Sequence, residues 1–339
     1  MRTGRDLSHW APRAVCQQAG PRCLNFEENV MFRATIRRVA LLCVLVSGSA
    51  WADTTLLNVS YDVTRDFYKD YNPEFQRYWK AKTGETVTLQ QSHGGSSKQA
   101  MSVVAGLAAD VITMNQAPDI DLLAERGKLV PVNWQQRLPD NSSPFTSTIV
   151  FIVRQGNPKA IKDWADLAQP GVQVVVPNPK TSGNGRYTYL AAWGQAQLTG
   201  NAAQAQDYVK RLFANVPVLD AGGRAATTTF MQRQIGDVLV TFENEAEMVA
   251  REFGRGSFEV VYPKVSILAE NPVSVVDSVV DKKGTRKVAQ AYLEYLWSPA
   301  GQELAAQNYL RPRNPDILKK YAKQFPPLRT FSVEHTFGS

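Results

Sequence analysis

From about residue 54 to residue 310 the chain alternates short β-forming runs with longer segments whose apolar residues recur every three or four positions. Residues 56–61 read as a first strand. Phe67, Tyr71, Phe75, Tyr78 and Trp79 follow at spacings near four and predict a helix over roughly 64–80 in spite of Pro73. Residues 86–90 and 109–113 predict two further strands, and a helix over 120–126 with the run 129–132 closes the unit. The polar stretch 139–144 leads to 148–154, a continuous β-forming run placed to enter a second unit.

The second unit repeats the scheme. Strands are predicted at 174–176, 216–219 and 238–242, with helices between them from about residues 188 and 205. Residues 258–262 and 267–279 read as strands returning toward the first unit. The segments 286–296 and 299–309 are amphipathic helices whose aromatic and leucine stripes belong in a core. Strands alternating with helices in two successive sets imply an α/β architecture with two lobes.

Three strand-to-helix turns carry the chemistry. After the run Val174-Val175-Val176 comes Pro177-Asn178-Pro179-Lys180-Thr181-Ser182-Gly183-Asn184-Gly185-Arg186, with Ser182 where a capping residue belongs. Gly183 and Gly185 permit close approach to the backbone. Ser92 to Ala100 repeats the pattern, with Gly94-Gly95 before Ser96, and Ala221-Gly222-Gly223-Arg224 is a third case. The first turn of a helix leaves N–H groups without intrahelical acceptors, so such places attract anions. One such turn alone fits an ordinary capped loop equally well. Three at the carboxyl ends of strands fit a cleft that surrounds a small oxyanion. The glycines do not follow GxGxxG, and Lys180 precedes the serine and glycines, which argues against a nucleotide loop.

Composition narrows the classes. With 339 residues, 44% hydrophobic and 20% charged, the chain can bury a core for two lobes. Of its formal charge of +7, residues 1–52 supply +4, seven arginines against Asp6, Glu27 and Glu28, which leaves +3 for the body. That is no nucleic-acid footprint. Met31 opens a basic stretch with Arg33, Arg37 and Arg38, an apolar run over 39–46, and an Ala50-Trp51-Ala52 end. This is the pattern of a secretory signal over 31–52, cut after Ala52, and 1–30 reads as an upstream extension. The apolar run falls far short of the roughly 20 residues of a membrane span. Cys16, Cys23 and Cys43 all precede the cut, so the mature chain is expected to have no disulfide, thiol nucleophile or cysteine metal site.

On the blocks Gln91-Ser92-His93-Gly94-Gly95-Ser96-Ser97-Lys98-Gln99-Ala100 and Asn178 to Arg186, the chain resembles the bacterial periplasmic sulfate- and thiosulfate-binding proteins, solute-binding components of ABC importers. The resemblance runs from Leu56 to Gly338. It implies a two-lobed, type II periplasmic binding protein fold, with 53–147 and 256–339 in lobe 1 and 148–255 in lobe 2. It also implies ligand contacts from the N–H of Asp62, the N–H and hydroxyl of Ser96, the hydroxyl of Ser182, and the N–H groups of Gly183, Asn184 and Gly223. Arg186 would support its loop from behind, Gly95 would allow close approach, and Asp62 would organise its own turn. Sulfate-preferring members have an indole donor where this chain has Phe242, and Gly-Gly where it has Gly183-Asn184. The thiosulfate-preferring branch matches at both places, which implies thiosulfate binding with sulfate also accepted. The family further implies a monomer that delivers to an inner-membrane ABC permease, with no cofactor or metal. In this family the chain usually continues beyond the position of Ser339.

Other readings compete with this one. Molybdate or phosphate binders use the same helix termini. A periplasmic enzyme would draw on Asp62, Asp110, Glu243 or His93, but the chain has no triad order, paired glutamates or HExxH.

Overall fold

A computed structural model describes residues 54–254 and 256–338. The upstream extension, the expected signal segment and all three cysteines lie outside the described residues. From the amino end, strand β1 (Thr54–Tyr61) leads through a 3-10 turn at Asp62–Thr64 into helix α1 (Arg65–Thr83), β2 (Val87–Gly94), α2 (Ser96–Val104), β3 (Val111–Thr113) and α3 (Ala117–Leu122). The long strand β4 (Phe145–Arg154) precedes α4 (Trp164–Leu167), β5 (Val174–Pro177), α5 (Gly183–Thr199) and α6 (Ala202–Ala214). Then come β6 (Leu219–Asp220), α7 (Gly223–Met231), β7 (Val238–Phe242) and α8 (Glu243–Phe253). The strands β8 (Phe258–Val261), β9 (Val265–Glu270) and β10 (Val273–Val275) follow. The helices α9 (Asp277–Lys283), α10 (Arg286–Glu294) and α11 (Pro299–Gln307) come next. The chain ends with β11 (Arg311–Pro312), α12 (Pro315–Lys320), β12 (Arg329–Phe331) and α13 (Val333–Phe337).

The strands form two sheets. The first has the order β10-β3-β1-β2, with β1 parallel to both neighbours in the registers Thr54↔Val87 and Asn58↔Val111, and β10 antiparallel to β3. The second runs β12-β9-β4-β7-β5-β6, with β8 and β11 also paired to β4. Nine consecutive residues of β4, Phe145–Val153, are buried. A strand covered on both faces need not alternate, which is why residues 149–153 form a continuous apolar run, with the buried Thr146, Ser147 and Thr148 before it.

Several elements depart from expectation. The strands at 258–262 and around 267 do not return to the first sheet, because β8 and β9 both pair antiparallel with β4 in the second. Only β10 crosses back, after Asn271-Pro272. The strand expected at 216–219 shrinks to Leu219–Asp220. The helix expected from 188 starts earlier, at Gly183, because Ser182 caps it there.

The helix predicted over 64–80 extends to Thr83 and stops where Gly84 takes a left-handed conformation. Its aromatic stripe packs on α10. Tyr292 lies edge-on to Tyr71 at 5.2 Å and to Phe75 at 5.1 Å. Its hydroxyl donates to Asn72 Oδ1 at 2.7 Å and accepts from Asn58 Nδ2 and Gln91 Nε2, both at 3.3 Å. This one phenol joins α1, β1 and β2 to the carboxyl-terminal helices. Tyr292→Phe should therefore cost about 1–3 kcal/mol, since the lost oxygen strands buried partners. Urea unfolding of the two proteins measures the difference, and an unchanged midpoint would contradict it.

Candidate functional site

Three helices begin at the carboxyl ends of strands, and glycines bring their first turns together. A Cβ on Gly95, before α2, would stand 2.7 Å from the carbonyl oxygen of Thr181 and 3.2 Å from that of Ala221. On Gly183 it would fall 1.8 Å from Asn115 Oδ1, and on Gly222 2.7 Å from Asp62 Oδ2. On Gly223 it would fall 2.9 Å from Asn184 Nδ2. Asp62, Ser96, Gly183, Asn184 and Gly223 are thus gathered in one place, between the first sheet and the second. Ser182 adjoins Gly183, and Ser96, Ser182 and Asn184 are each at most 2% exposed.

Each turn is fixed by its own bonds. Ser182 Oγ accepts from the N–H of Gly185 at 3.4 Å, and Asn178 Oδ1 accepts from the N–H of Lys180 at 2.9 Å. Thr181 Oγ1 donates to the carbonyl of Ala221 at 3.0 Å, which ties this turn to the third. Ser96 differs from Ser182. It opens its helix after Gly95 and does not cap it. Its hydroxyl faces Met114 Sδ and accepts from the N–H of Asn115 at 3.3 Å. The N–H groups of Gly183 and Asn184 have no intrahelical acceptor, like those of Ser96 and Gly223 at the starts of their helices.

The charged groups of these turns are engaged with one another. Arg186 reaches Asp119 Oδ1 at 3.1 Å, joining α5 to α3, and Arg224 pairs with Glu252. Asp62 does more than organise its own turn, because its Oδ2 accepts from the N–H of Arg224 at 3.3 Å. Burial raises the Asp62 carboxyl above its usual range, and the backbone N–H of Arg224 opposes that rise. Phe242 closes β7, 1% exposed, with its ring edge-on to Tyr187 at 5.8 Å.

Four neighbours were not singled out from the sequence: Asn115, Asp119, Thr241 and Glu245. Asn115 follows β3 at its carboxyl end, the same position as the three turns, so topology pointed to it. Asn184 Nδ2 donates to Thr241 Oγ1 at 2.8 Å, and Thr227 Oγ1 donates to Glu245 Oε2 at 3.2 Å. Burial, and after it the charge of Asp62, pushes the Glu245 carboxyl up to about 8.

The other residues considered for catalysis serve the fold. Asp110 accepts from the N–H of Leu57 and from Thr285 Oγ1 and pairs with Lys283. Glu243 holds Arg311 at 2.7 and 2.8 Å. His93 lies in β2 opposite Ser60, and their Nδ1 and Oγ share a hydrogen bond of 2.5 Å. Burial, with Arg65 adding to it, lowers the imidazole to about 4.

Two mixed sheets with helix N-termini meeting between them define a solute-binding protein of the periplasmic type. The chain belongs to the bacterial extracellular solute-binding proteins, whose family model matches residues 57–311, and among them to the sulfate- and thiosulfate-binding proteins. It is 70% identical over 294 residues to the thiosulfate-binding protein of Pseudomonas aeruginosa, covering 86% of this chain and 89% of that one. It is 55% identical over 303 residues to the sulfate-binding protein of Escherichia coli, covering 88% and 92%. The solved structure of the sulfate-binding protein SubI from Mycobacterium tuberculosis H37Rv is similar with a TM-score of 0.77 at 30% identity, over 84% of this chain and 96% of that one. The fold is accordingly the type II periplasmic binding protein fold.

A histidine whose folded value lies below its unfolded value of about 6.5 keeps its stabilising contribution above that value and loses it as pH falls toward 4. His93→Gln should flatten the loss of thermal stability between pH 6.5 and 4 relative to the parent protein. Parallel melting curves with the same slope for both would contradict the assignment.

Proposed function

We propose that this chain captures thiosulfate, and sulfate as well, in the periplasm and delivers it to an ABC permease in the inner membrane. The observation that carries the reading is the meeting of three helix N-termini at Ser96, Gly183 and Gly223, with Arg186 and Arg224 paired to carboxylates. Fixed N–H dipoles satisfy the acceptors of a buried anion without an opposing charge, so the dianion is bound without chemistry being done on it. The relatives' names support the ligand class. Among the described residues no helix is long and apolar enough to cross a membrane.

In this reading the anion contacts are the N–H groups of Asp62, Ser96, Gly183, Asn184 and Gly223 and the hydroxyls of Ser96 and Ser182. Arg186 and Gly95 hold the turns in place. The protein acts as a monomer whose two lobes close on the anion by bending at the crossings between the sheets. The division into lobe 1 as 53–147 with 256–339 and lobe 2 as 148–255 belongs to this proposal with one amendment: β8, β9 and β12 pair within the second sheet, which assigns 258–270 and 329–331 to lobe 2. The enzyme alternative loses ground because Asp110, Glu243 and His93 are committed to structural bonds.

Phe242 offers no hydrogen-bond donor beside the cleft, which suits the weakly hydrated terminal sulfur of thiosulfate better than a fourth sulfate oxygen. Titration calorimetry of anion-free protein should give saturable one-to-one binding of thiosulfate and sulfate, with thiosulfate the tighter. Hydrogen phosphate should be silent, because its proton would face a donor. Strong phosphate binding would overturn the donor-only account, and failure to bind any tetrahedral anion would overturn the site. Phe242→Trp, which adds an indole N–H, should shift the ratio of affinities toward sulfate. An unchanged ratio would remove Phe242 from the discrimination.

A further inference from the structure

Glu245 is a fully buried acid with no role in the contacts proposed above. It lies in the first turn of α8, 0% exposed. Its Oε2 accepts from Thr227 and stands 3.1 Å from where a Cβ on Gly223 would be. Among the described residues its Oε1 has no hydrogen-bond partner. Thr241, which holds Asn184, faces the same carboxyl. Glu245 therefore sits behind two of the N–H groups assigned to the anion, those of Asn184 and Gly223.

The charges around it do not neutralise it. Asp62 faces it from the turn after β1, Arg224 from the start of α7, and the Tyr61 hydroxyl from the end of β1. Among the described residues Arg224 makes its ion pair with Glu252. An unpaired carboxylate in this position would lie beside Asp62 and, once the cleft is filled, beside a dianion. That arrangement is costly in a dry interior, whereas the neutral acid is not. Two neighbouring carboxyls in unequal surroundings divide the roles: Asp62, held by a backbone N–H, takes the charge, and Glu245 takes the proton.

We propose that Glu245 is a positioning residue of the anion site that acts as a neutral acid, so that capture of the dianion requires the protein to hold one proton there. The inference rests on the oxyanion reading of the cleft. Its sign follows from the surroundings. Burial, and after it Asp62, pushes this carboxyl up to about 8 in the free protein, and a bound dianion raises it further. Binding is therefore undiminished below about pH 8 and weakens as pH rises through it. Sulfate and thiosulfate remain dianions over this range, so the change belongs to the protein.

The test is calorimetric titration with thiosulfate at pH 6.5, 7.5, 8.5 and 9.5, each in two buffers of different ionisation enthalpy, on the parent protein and on Glu245→Gln. The parent affinity should fall roughly twentyfold between pH 7.5 and 9.5, with proton uptake on binding at pH 8.5 and above. Glu245→Gln, neutral at every pH, should lose both the fall and the proton uptake. A parent affinity that is flat to pH 9.5, or a variant that follows the parent profile, would overturn the inference while leaving the oxyanion site standing. Absence of binding by the parent protein at pH 6.5 would overturn the oxyanion site and this inference together. If the variant does not fold, proton uptake by the parent protein alone decides between the outcomes.

Discussion

Three helix N-termini leave backbone N–H groups that the helices themselves cannot satisfy, and the cleft depends on how closely those termini approach one another. The approach is set by missing side chains. At Gly95 the facing atoms are the backbone carbonyls of Thr181 and Ala221, which cannot swing away as a side chain can. The turn after β2 therefore meets the turns after β5 and β6 backbone to backbone. In the proposed reading, N–H dipoles held at that distance act on a shared guest without the reorganisation that mobile lysines or arginines would need. Cations are present, but they are spent on order: Arg186 on Asp119 and Arg224 on Glu252.

Packing makes that approach reproducible. The turn after β2 is anchored by Ser96 to the segment after β3, and the turn after β5 by Thr181 to the turn after β6. Behind them stand two cores. One is the aromatic stack of α1 against α10 under the first sheet, and the other is the doubly covered β4 of the second. The chain passes between the sheets at β4, at Asn271-Pro272 and near β11, so a relative motion of the sheets bends several segments together. Contacts that span them, such as Asp62 with the N–H of Arg224 and Asp119 with Arg186, exist only when the turns are close.

Much of this was legible in the residues. The alternation of strand and helix, the aromatic stripe of α1 and the three glycine turns are local patterns, and local patterns are what periodicity and turn chemistry report. Partner choice among strands was not. Residues 258–270 have the composition of strands in either sheet, and only the length of β4, which offers edges to β7, β8 and β9, decides where they pair. Ser96 repeats the local pattern of the capping Ser182, yet Met114 and Asn115, close in space, draw its hydroxyl inward. Glu245 escaped notice for a related reason. An acid in the first turn of a helix is the ordinary complement to the helix dipole, and nothing local says that it is fully buried.

In the proposed site, Phe242 is the wall beside the donors, and it is what would let the site distinguish between oxyanions of equal charge. Phe242 ends β7 and packs edge-on against Tyr187, and the Tyr187 hydroxyl is turned away to the carbonyl of Glu270. Neither ring supplies a donor toward the turns. Donors thus come from the three helix starts, while the end of β7 presents carbon. A guest with four equivalent oxygens leaves one acceptor against that carbon without a partner, and in a buried site an unmet acceptor costs about 1–3 kcal/mol. A guest whose fourth vertex is a soft, weakly hydrated sulfur loses less there. Under that proposal, discrimination comes from what the wall fails to offer, with the charge count the same for both ligands.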